Sequence, residues 1–346
     1  MNTVDVVIPC YNYSRYLKAC VTSVLSQPEV RVRVLVIDDA SSDETPHIGE
    51  ALARSDQRVQ FRRHDTNHGH IATYNEGLLG WSTAEYCVLL SADDMLSPGA
   101  LSRALKIMEA DKSVGMVYGP TVHFREEREI PNIKAGAWEF SRWSGREWLE
   151  RRCRAGHNVI TSPEVVVRGS VQRSVGGYNP ELPHAGDLEM WMRIAAVSDI
   201  AYVRRLPQAF YRVHSASMMR SKYNGRLLDL FQRKAAFDLF FQRYADGNGR
   251  DKLHQVACRA LAREALWDAC RAFDHNEVEE RRAKELVDFA QSTYSASEAL
   301  PEFRALQRRR RIGPVWCNRT QLFILSALTR RATHWASKRR WQKRGV

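Results

Sequence analysis

The first 120 residues are dominated by short apolar runs that each stop abruptly at polar residues, with helical periodicity between them. Residues 4–8, 32–37, 59–61, 86–90 and 115–118 are too short for buried helices and are mostly rich in β-branched or aromatic side chains, so they read as strands. Between the first two, Leu17, Cys20, Val21 and Val24 recur every three or four positions, and residues 14–25 read as an amphipathic helix. Ser41 and Glu44 have the spacing of a capping box, opening a helix to about Arg54. A further helix is expected over 71–79, and Ser97 followed by Pro98 reads as another helix start. Strands that alternate with helices cannot pair as tight hairpins. They imply a mostly parallel sheet flanked by helices, an α/β fold.

Ligands of such sheets bind where loops open beyond the strand ends. Here the first strand runs into IPCYNYS, the second into IDDASSDE and the fourth into LSADDML. Adjacent aspartates after an apolar run repel each other and lose hydration, and a bound cation removes that cost. Taken alone, Asp93 and Asp94 could equally open a loop. A dinucleotide fingerprint is excluded, because PCYNYS stands where G-x-G-x-x-G would be needed, and no G-x-x-x-x-G-K-[ST] motif occurs. A nucleotide diphosphate would therefore need a carboxylate-held divalent cation to neutralise its phosphates. Downstream, Leu188, Trp191, Met192 and Ala195 mark one face of a helix in LPHAGDLEMWMRIAA, with Asp187 at its start. Asp187 could be an N-cap, and a carboxylate there could also act as a general base.

The five segments IPCYN, VIDDASSDET, NHGHIATYNEGL, SADD and AGDLEMWMRIA occur in order over about 215 residues. In that order and spacing they resemble the family-two inverting glycosyltransferases, which have the A-type nucleotide-diphospho-sugar transferase fold with a Rossmann-like sheet. The resemblance implies a nucleotide-sugar donor, with uridine the expected base. It implies that Tyr11, beside Pro9 in the first loop, stacks on the base and that Asp39 hydrogen-bonds it. It implies that Asp93 faces the ribose, that Asp94 holds Mg²⁺ or Mn²⁺ against the diphosphate, and that Asp187 is the catalytic base. His214 matches a histidine near the metal or diphosphate, and Asn67, His68 and His70 border the donor site. The Q-x-x-R-W motif of the processive members is absent, EMWMR standing in its place, so transfer of a single sugar is expected.

At 346 residues and 44% hydrophobic content the chain can bury a proper core. Catalytic residues are expected in 1–215, a helical extension in 216–300, where Leu253, Ala257, Leu261 and Ala265 form a stripe, and a basic tail in 301–346. The net charge of +12 lies in that tail, which has 13 Lys or Arg and one acid, whereas the first 300 residues balance 39 against 39. There Leu325, Leu328, Ala332 and Trp335 make an apolar stripe flanked by Arg330, Arg331, Lys338 and Arg339, suited to an anionic membrane surface, although a solvated charge run would read the same way. The N-terminus shows no signal peptide, no run approaches the ~20 apolar residues of a membrane span, and the seven cysteines are scattered, so a cytoplasmic location is expected, with possible attachment to the inner face of the membrane. The acceptor is expected to be a saccharide or lipid-linked saccharide in surface polysaccharide or glycolipid synthesis. Trp138, Trp143 and Trp148 could stack on it or be core residues. A sugar nucleotidyltransferase would show a glycine-rich basic signature near the first strand, which is missing. Nucleic-acid binding would have to rest on the tail alone, and no nucleic-acid partner is expected.

Overall fold

The computed structural model describes residues 2–133, 136–214, 225–244 and 249–346. The expected 215/216 boundary falls outside these residues. The chain divides into two compact units, whose described residues are 2–133, 136–149, 159–214 and 342–346 in the first and 150–158, 225–244 and 249–341 in the second. Residues 301–341 thus belong to the helical unit.

The first unit is built on an eight-stranded sheet. Its strands are β1 (Thr3–Cys10), β2 (Arg31–Asp38), β3 (Val59–Arg63), β4 (Tyr86–Leu89), β6 (Val114–Tyr118), β8 (Glu139–Trp143), β9 (Val166–Arg168) and β10 (Asp199–Arg204). The order is β3-β2-β1-β4-β9-β6-β10-β8, with β9 and β8 antiparallel to their neighbours. A second sheet pairs β11 (Ala209–Arg212) with β5 (Met95–Leu96) and β7 (Thr121–Phe124). Helix α1 (Ser14–Leu25) buries Leu17, Cys20, Val21 and Val24, the stripe read from the sequence. Asp5, fully buried in β1, is neutralised by Arg33 at 2.7 Å through both oxygens and by the N–H groups of Thr83 and Ala84 at 2.8 Å.

Three local expectations change. No capping box forms: α2 (Thr45–Ser55) starts after Glu44, which makes no side-chain cap bond, and the Ser41 hydroxyl accepts the Asn12 N–H at 2.8 Å instead. Helix α4 (Ala100–Ala110) starts three residues after Ser97, because Gly99 takes φ +73 and the Ser97 hydroxyl donates to the Pro207 carbonyl at 2.5 Å. The helix expected over 71–79 is α3 (His70–Asn75) running into a π-helical turn, Glu76–Trp81, where a Cβ on Gly77 would lie 2.2 Å from the Val7 side chain. Residues 120–214, outside the apolar runs read as strands, supply β7 to β11. Trp148 from that region is fully buried and donates to the Tyr118 hydroxyl at 3.2 Å, which makes it a core residue.

In the second unit, α8 (Arg226–Arg243), α9 (Arg250–His275), α10 (Glu280–Thr293), α11 (Pro301–Ile312), α12 (Pro314–Thr320) and α13 (Ile324–Arg344), whose last residues 342–344 belong to the first unit, follow in order. Ala257, Leu261 and Ala265 of the expected stripe are fully buried. No helix among the described residues is long and apolar enough to cross a membrane.

Candidate functional site

Strands β1, β2 and β4 end side by side, so their following loops share one rim. Pro9 sits in β1 beyond the last residue paired with β4, where a missing N–H breaks no ladder bond. The next residue keeps its pairing, since the Cys10 carbonyl accepts the Asp39 N–H at 2.9 Å. Asn12 takes φ +59, which asparagine tolerates, and its Oδ1 accepts the Ser42 N–H at 2.9 Å, tying the first loop to the second. Tyr11 is left 49% exposed at this rim, as a ring available for stacking. Cys10 is buried and its thiol is pushed up to about 12 chiefly by burial, which removes it as a nucleophile.

Asp39 is buried and fully engaged. Its carboxylate accepts the N–H groups of His68 at 2.8 Å and Gly69 at 2.9 Å and meets His64 Nδ1 at 2.7 Å, while its carbonyl accepts the Asn67 amide at 3.0 Å. His64 reaches on to Glu76 through Nε2 at 2.7 Å and stacks on His68 with centroids 4.2 Å apart. Burial alone would raise the Asp39 carboxyl, but these bonds hold it below the usual range. Burial disfavours a charged His64 likewise, and the two carboxylates outweigh it and raise the imidazole above its ordinary value. Asp39, His64 and His68 are close enough to suggest a metal site, but both nitrogens of His64 already bond carboxylates.

The acidic pair is held differently. Asp94 is buried, and its Oδ1 accepts the Arg212 N–H at 2.8 Å; burial first, and the neighbouring Asp93 charge second, drive its carboxyl well above the usual range. The Arg212 guanidinium lies between the rings of Tyr16 and Phe124, 4.3 and 4.4 Å from their centroids, and donates to the Asp93 carbonyl at 2.9 Å and to Glu127 at 3.0 Å. Arg212 thus fixes the backbone of the pair. His214 Nε2 stands 2.9 Å from Asp93 Oδ2, so the histidine meets Asp93 and not Asp94; its Nδ1 is buried with no hydrogen-bond partner among the described residues.

Asp187 lies in α7 (Gly186–Val197), one residue inside the helix, with Ala185 at the cap position and no side-chain cap bond. The N-cap reading therefore fails. Its carboxylate accepts the Ser162 hydroxyl at 2.5 Å and that of Tyr178. Burial raises the Asp187 carboxyl above its ordinary value, although both hydroxyls and the charges of His70 and His184 oppose it. His70 bonds the Pro183 carbonyl at 3.0 Å, and its charge acts on Asp187. The partly buried Tyr74 hydroxyl is pushed above its ordinary value by desolvation first and then by the charges of Asp187, Asp93 and Asp94, so all three carboxylates act on one neighbourhood.

Arg212, Ser162, Tyr178 and Glu164 escaped the sequence reading. Glu164 is buried, accepts the Thr161 N–H and hydroxyl at 2.8 Å, is pushed up to about 7 by burial, and adds negative charge near Asp94. Ser162 alone had a readable trait, its φ of +85, and that shows only in the backbone. Asp93 and His214 bring a carboxylate oxygen and a ring nitrogen to 2.9 Å, with the buried Asp94 carboxyl next in the chain. Neighbouring ligands on one small cation stand about 3 Å apart, and the crowded carboxylates need positive charge.

Residues 5–165 match the family described as Glycosyl transferase family 2. An uncharacterized glycosyltransferase of Haemophilus influenzae is 24% identical over 64% of this chain and 68% of its own length. A chondroitin synthase of Pasteurella multocida is 25% identical over 59% of this chain, which spans only 20% of the synthase. Among solved structures, S. aureus TarS 1-349 in complex with UDP-GlcNAc superposes with a TM-score of 0.65 at 16% identity, covering 94% of this chain and 92% of that one. The mannosyltransferase PcManGT from Pyrobaculum calidifontis, in complex with GDP-Man and Mn²⁺, gives 0.54 at 17% identity, covering 89% and 79%.

Proposed function

Given that this chain carries a family-two glycosyltransferase domain of A-type fold and is a nucleotide-sugar glycosyltransferase, we propose that it moves one sugar from a UDP-sugar to a hydroxyl acceptor with inversion. The observation that carries this reading is the shared neighbourhood of Asp187, Asp93 and Asp94 around Tyr74. It offers a proton acceptor and a cation-holding pair on opposite duties within one site.

In this reading Tyr11 stacks on the uracil and the Asp39 loop, with Pro9 and Asn67, shapes its edge. Asp93, Asp94 and His214 hold the cation; their grouping favours Asp93 with His214 as a ligand pair, while Asp94 supplies buried negative charge. Mg²⁺ or Mn²⁺ there would stabilise charge on the departing diphosphate as a Lewis acid. The acceptor oxygen attacks the anomeric carbon, the bond to the diphosphate breaks with its electron pair, and the hydroxyl proton passes to Asp187. A base with a raised pKa is suited to accepting it. Uridine is supported by the likeness to TarS crystallised with UDP-GlcNAc, and a polysaccharide acceptor by the chondroitin synthase relative. The test is a screen of nucleotide sugars for Mn²⁺-dependent binding and slow hydrolysis, with EDTA as control. UDP-sugars should bind and GDP-sugars should not. Binding of none, or binding indifferent to EDTA, would overturn the reading.

Attachment to an anionic inner leaflet is the companion proposal. Trp316, Leu325 and Trp335 are 59, 74 and 63% exposed among arginines of the second unit, whereas Leu306, Arg309 and Cys317 are buried and anchor the segment. Arg309, within the RRRR run, pairs with Asp274 at 2.8 Å. The side chain of Lys338 lies outside the described residues. Since truncation would strip buried residues, the test is Leu325→Ser with Trp335→Ser in sedimentation with anionic vesicles. Partitioning equal to the unmodified chain would sink the proposal.

A further inference from the structure

The helical unit holds a constellation that sugar transfer leaves unused. Asp238 stands on α8, and His254 and Cys258, four residues apart, share one face of α9. His254 Nε2 lies 2.8 Å from Asp238 Oδ1 and 3.5 Å from Cys258 Sγ, and the three ligand atoms all fall within 4.8 Å of one another.

A hydrogen-bonded triad would use both ring nitrogens, one for the acid and one for the thiol. Here carboxylate and sulfur address the same nitrogen, which carries at most one proton. Hydrogen bonding therefore serves one partner at the expense of the other, whereas a cation at their centre serves all three. The second Asp238 oxygen is taken by Lys234 Nζ at 2.5 Å, which leaves Oδ1 turned to the centre. Cys258 is buried, while Asp238 and His254 are half-buried, so an ion has a way in and a water has room as a further ligand. The Phe241 ring, 5.1 Å from that of His254, forms an apolar wall beside the site.

We propose that Asp238, His254 and Cys258 bind a zinc ion, with water completing a tetrahedron, and that the ion staples α8 to α9. Nitrogen, sulfur and a single carboxylate oxygen form a donor set for zinc and not for Mg²⁺ or Ca²⁺, which take oxygen. The nitrogen-to-sulfur distance supports this, because bonds of about 2.1 and 2.3 Å at a tetrahedral angle put those atoms about 3.6 Å apart. Binding is a proton exchange. The ion takes the lone pairs of the ring nitrogen and the sulfur, and any protons these atoms carry leave to solvent. The proposal stands apart from the reading of the transferase site.

The test uses the full chain freed of metal with EDTA and titrated with Co²⁺. One ion per chain should bind with a sulfur-to-cobalt charge-transfer band and strong tetrahedral visible bands, and equimolar Zn²⁺ should bleach both. Cys258→Ser should abolish the charge-transfer band and His254→Gln the tetrahedral bands, with circular dichroism verifying the folds. Asp94→Asn should keep both, which separates this ion from one at the acidic pair. Absence of the charge-transfer band in the unmodified chain, or its survival in Cys258→Ser, would overturn the proposal. Should the variants fail to fold, X-ray absorption of the zinc-loaded unmodified chain decides: one sulfur at about 2.3 Å is expected, and a shell of only nitrogen and oxygen overturns it.

Discussion

Asp39 and Asp94 are both buried aspartates just past strand ends of one sheet, yet their surroundings treat them in opposite ways. Asp39 receives two backbone N–H groups and an imidazole, and its carboxyl is held low. Asp94 receives one backbone N–H beside a second carboxylate, and its carboxyl is driven high. The first end of the site is finished before any ligand arrives. At the second, as at Asp187, burial disfavours the charged carboxylate, and a cation or a proton is what relieves it. Binding groups gain from being preorganised, and groups that meet a cation or a proton gain from being left wanting one.

The largest effect that could break this contrast is at Asp187. Asp187→Asn should lower kcat by about 10²–10⁴-fold, the usual worth of a general base, with nucleotide-sugar binding measured by calorimetry in Mn²⁺ unchanged. Normal turnover would remove the base from the unfinished end. Next comes Asp94→Asn. In Mn²⁺ at about a hundred times its Kd, the unmodified chain should gain about 2.7 kcal/mol of stability, and the variant should lose most of that gain. In EDTA the order should reverse, because the variant no longer buries a charge beside Asp93. Thermal melts with and without Mn²⁺ measure both, and a variant that melts lower in EDTA would count Asp94 among the satisfied groups.

The sequence showed where these groups would gather but not how each would be satisfied. Apolar runs ending in PCYN, DDAS and SADD identified three strand ends, because strand periodicity and acidic punctuation are local properties. Fates set by distant partners stayed hidden. Arg212 reaches Asp93 and Asp94 across more than a hundred residues, and Ser162 meets Asp187 across 25. His70, read as a neighbour of the donor site, bonds the distant carbonyl of Pro183, and its charge acts on Asp187. Strand β9 is three residues long, and β8 alternates between half-buried and exposed positions, so neither offers the apolar run by which a strand is recognised.

A smaller effect sharpens the finished end. His64 is raised in the folded state, so its contribution is complete below its unfolded value near 6.5 and is lost as pH rises through the folded value. Asp39 is lowered, so its contribution is complete above about 4 and is lost as pH falls through the folded value. Stability and UDP affinity should therefore form a plateau from about pH 4 to beyond 6.5. His64→Gln should cost about 1.5–3 kcal/mol, the worth of a charge-assisted hydrogen bond, and remove the alkaline fall in both. An unmodified chain whose UDP affinity rises above pH 7 would contradict a charged His64.

The smallest expected effect is at Ser162, and it distinguishes strain from chemistry. Its φ of +85 is costly for any residue with a Cβ, and its hydroxyl stabilises the charged form of Asp187. Ser162→Ala and Ser162→Gly both remove the hydroxyl, and only the second relieves the backbone. If the hydroxyl tunes the base, both variants should raise the Asp187 pKa and move the acid limb of the kcat profile to higher pH by the same amount. Ser162→Gly alone should also gain about 1 kcal/mol of stability from released strain. Equal pH profiles for the unmodified chain and both variants would leave the hydroxyl a passive neighbour. The opposition to burial at Asp187 would then come from Tyr178 and the charges of His70 and His184, and not from Ser162.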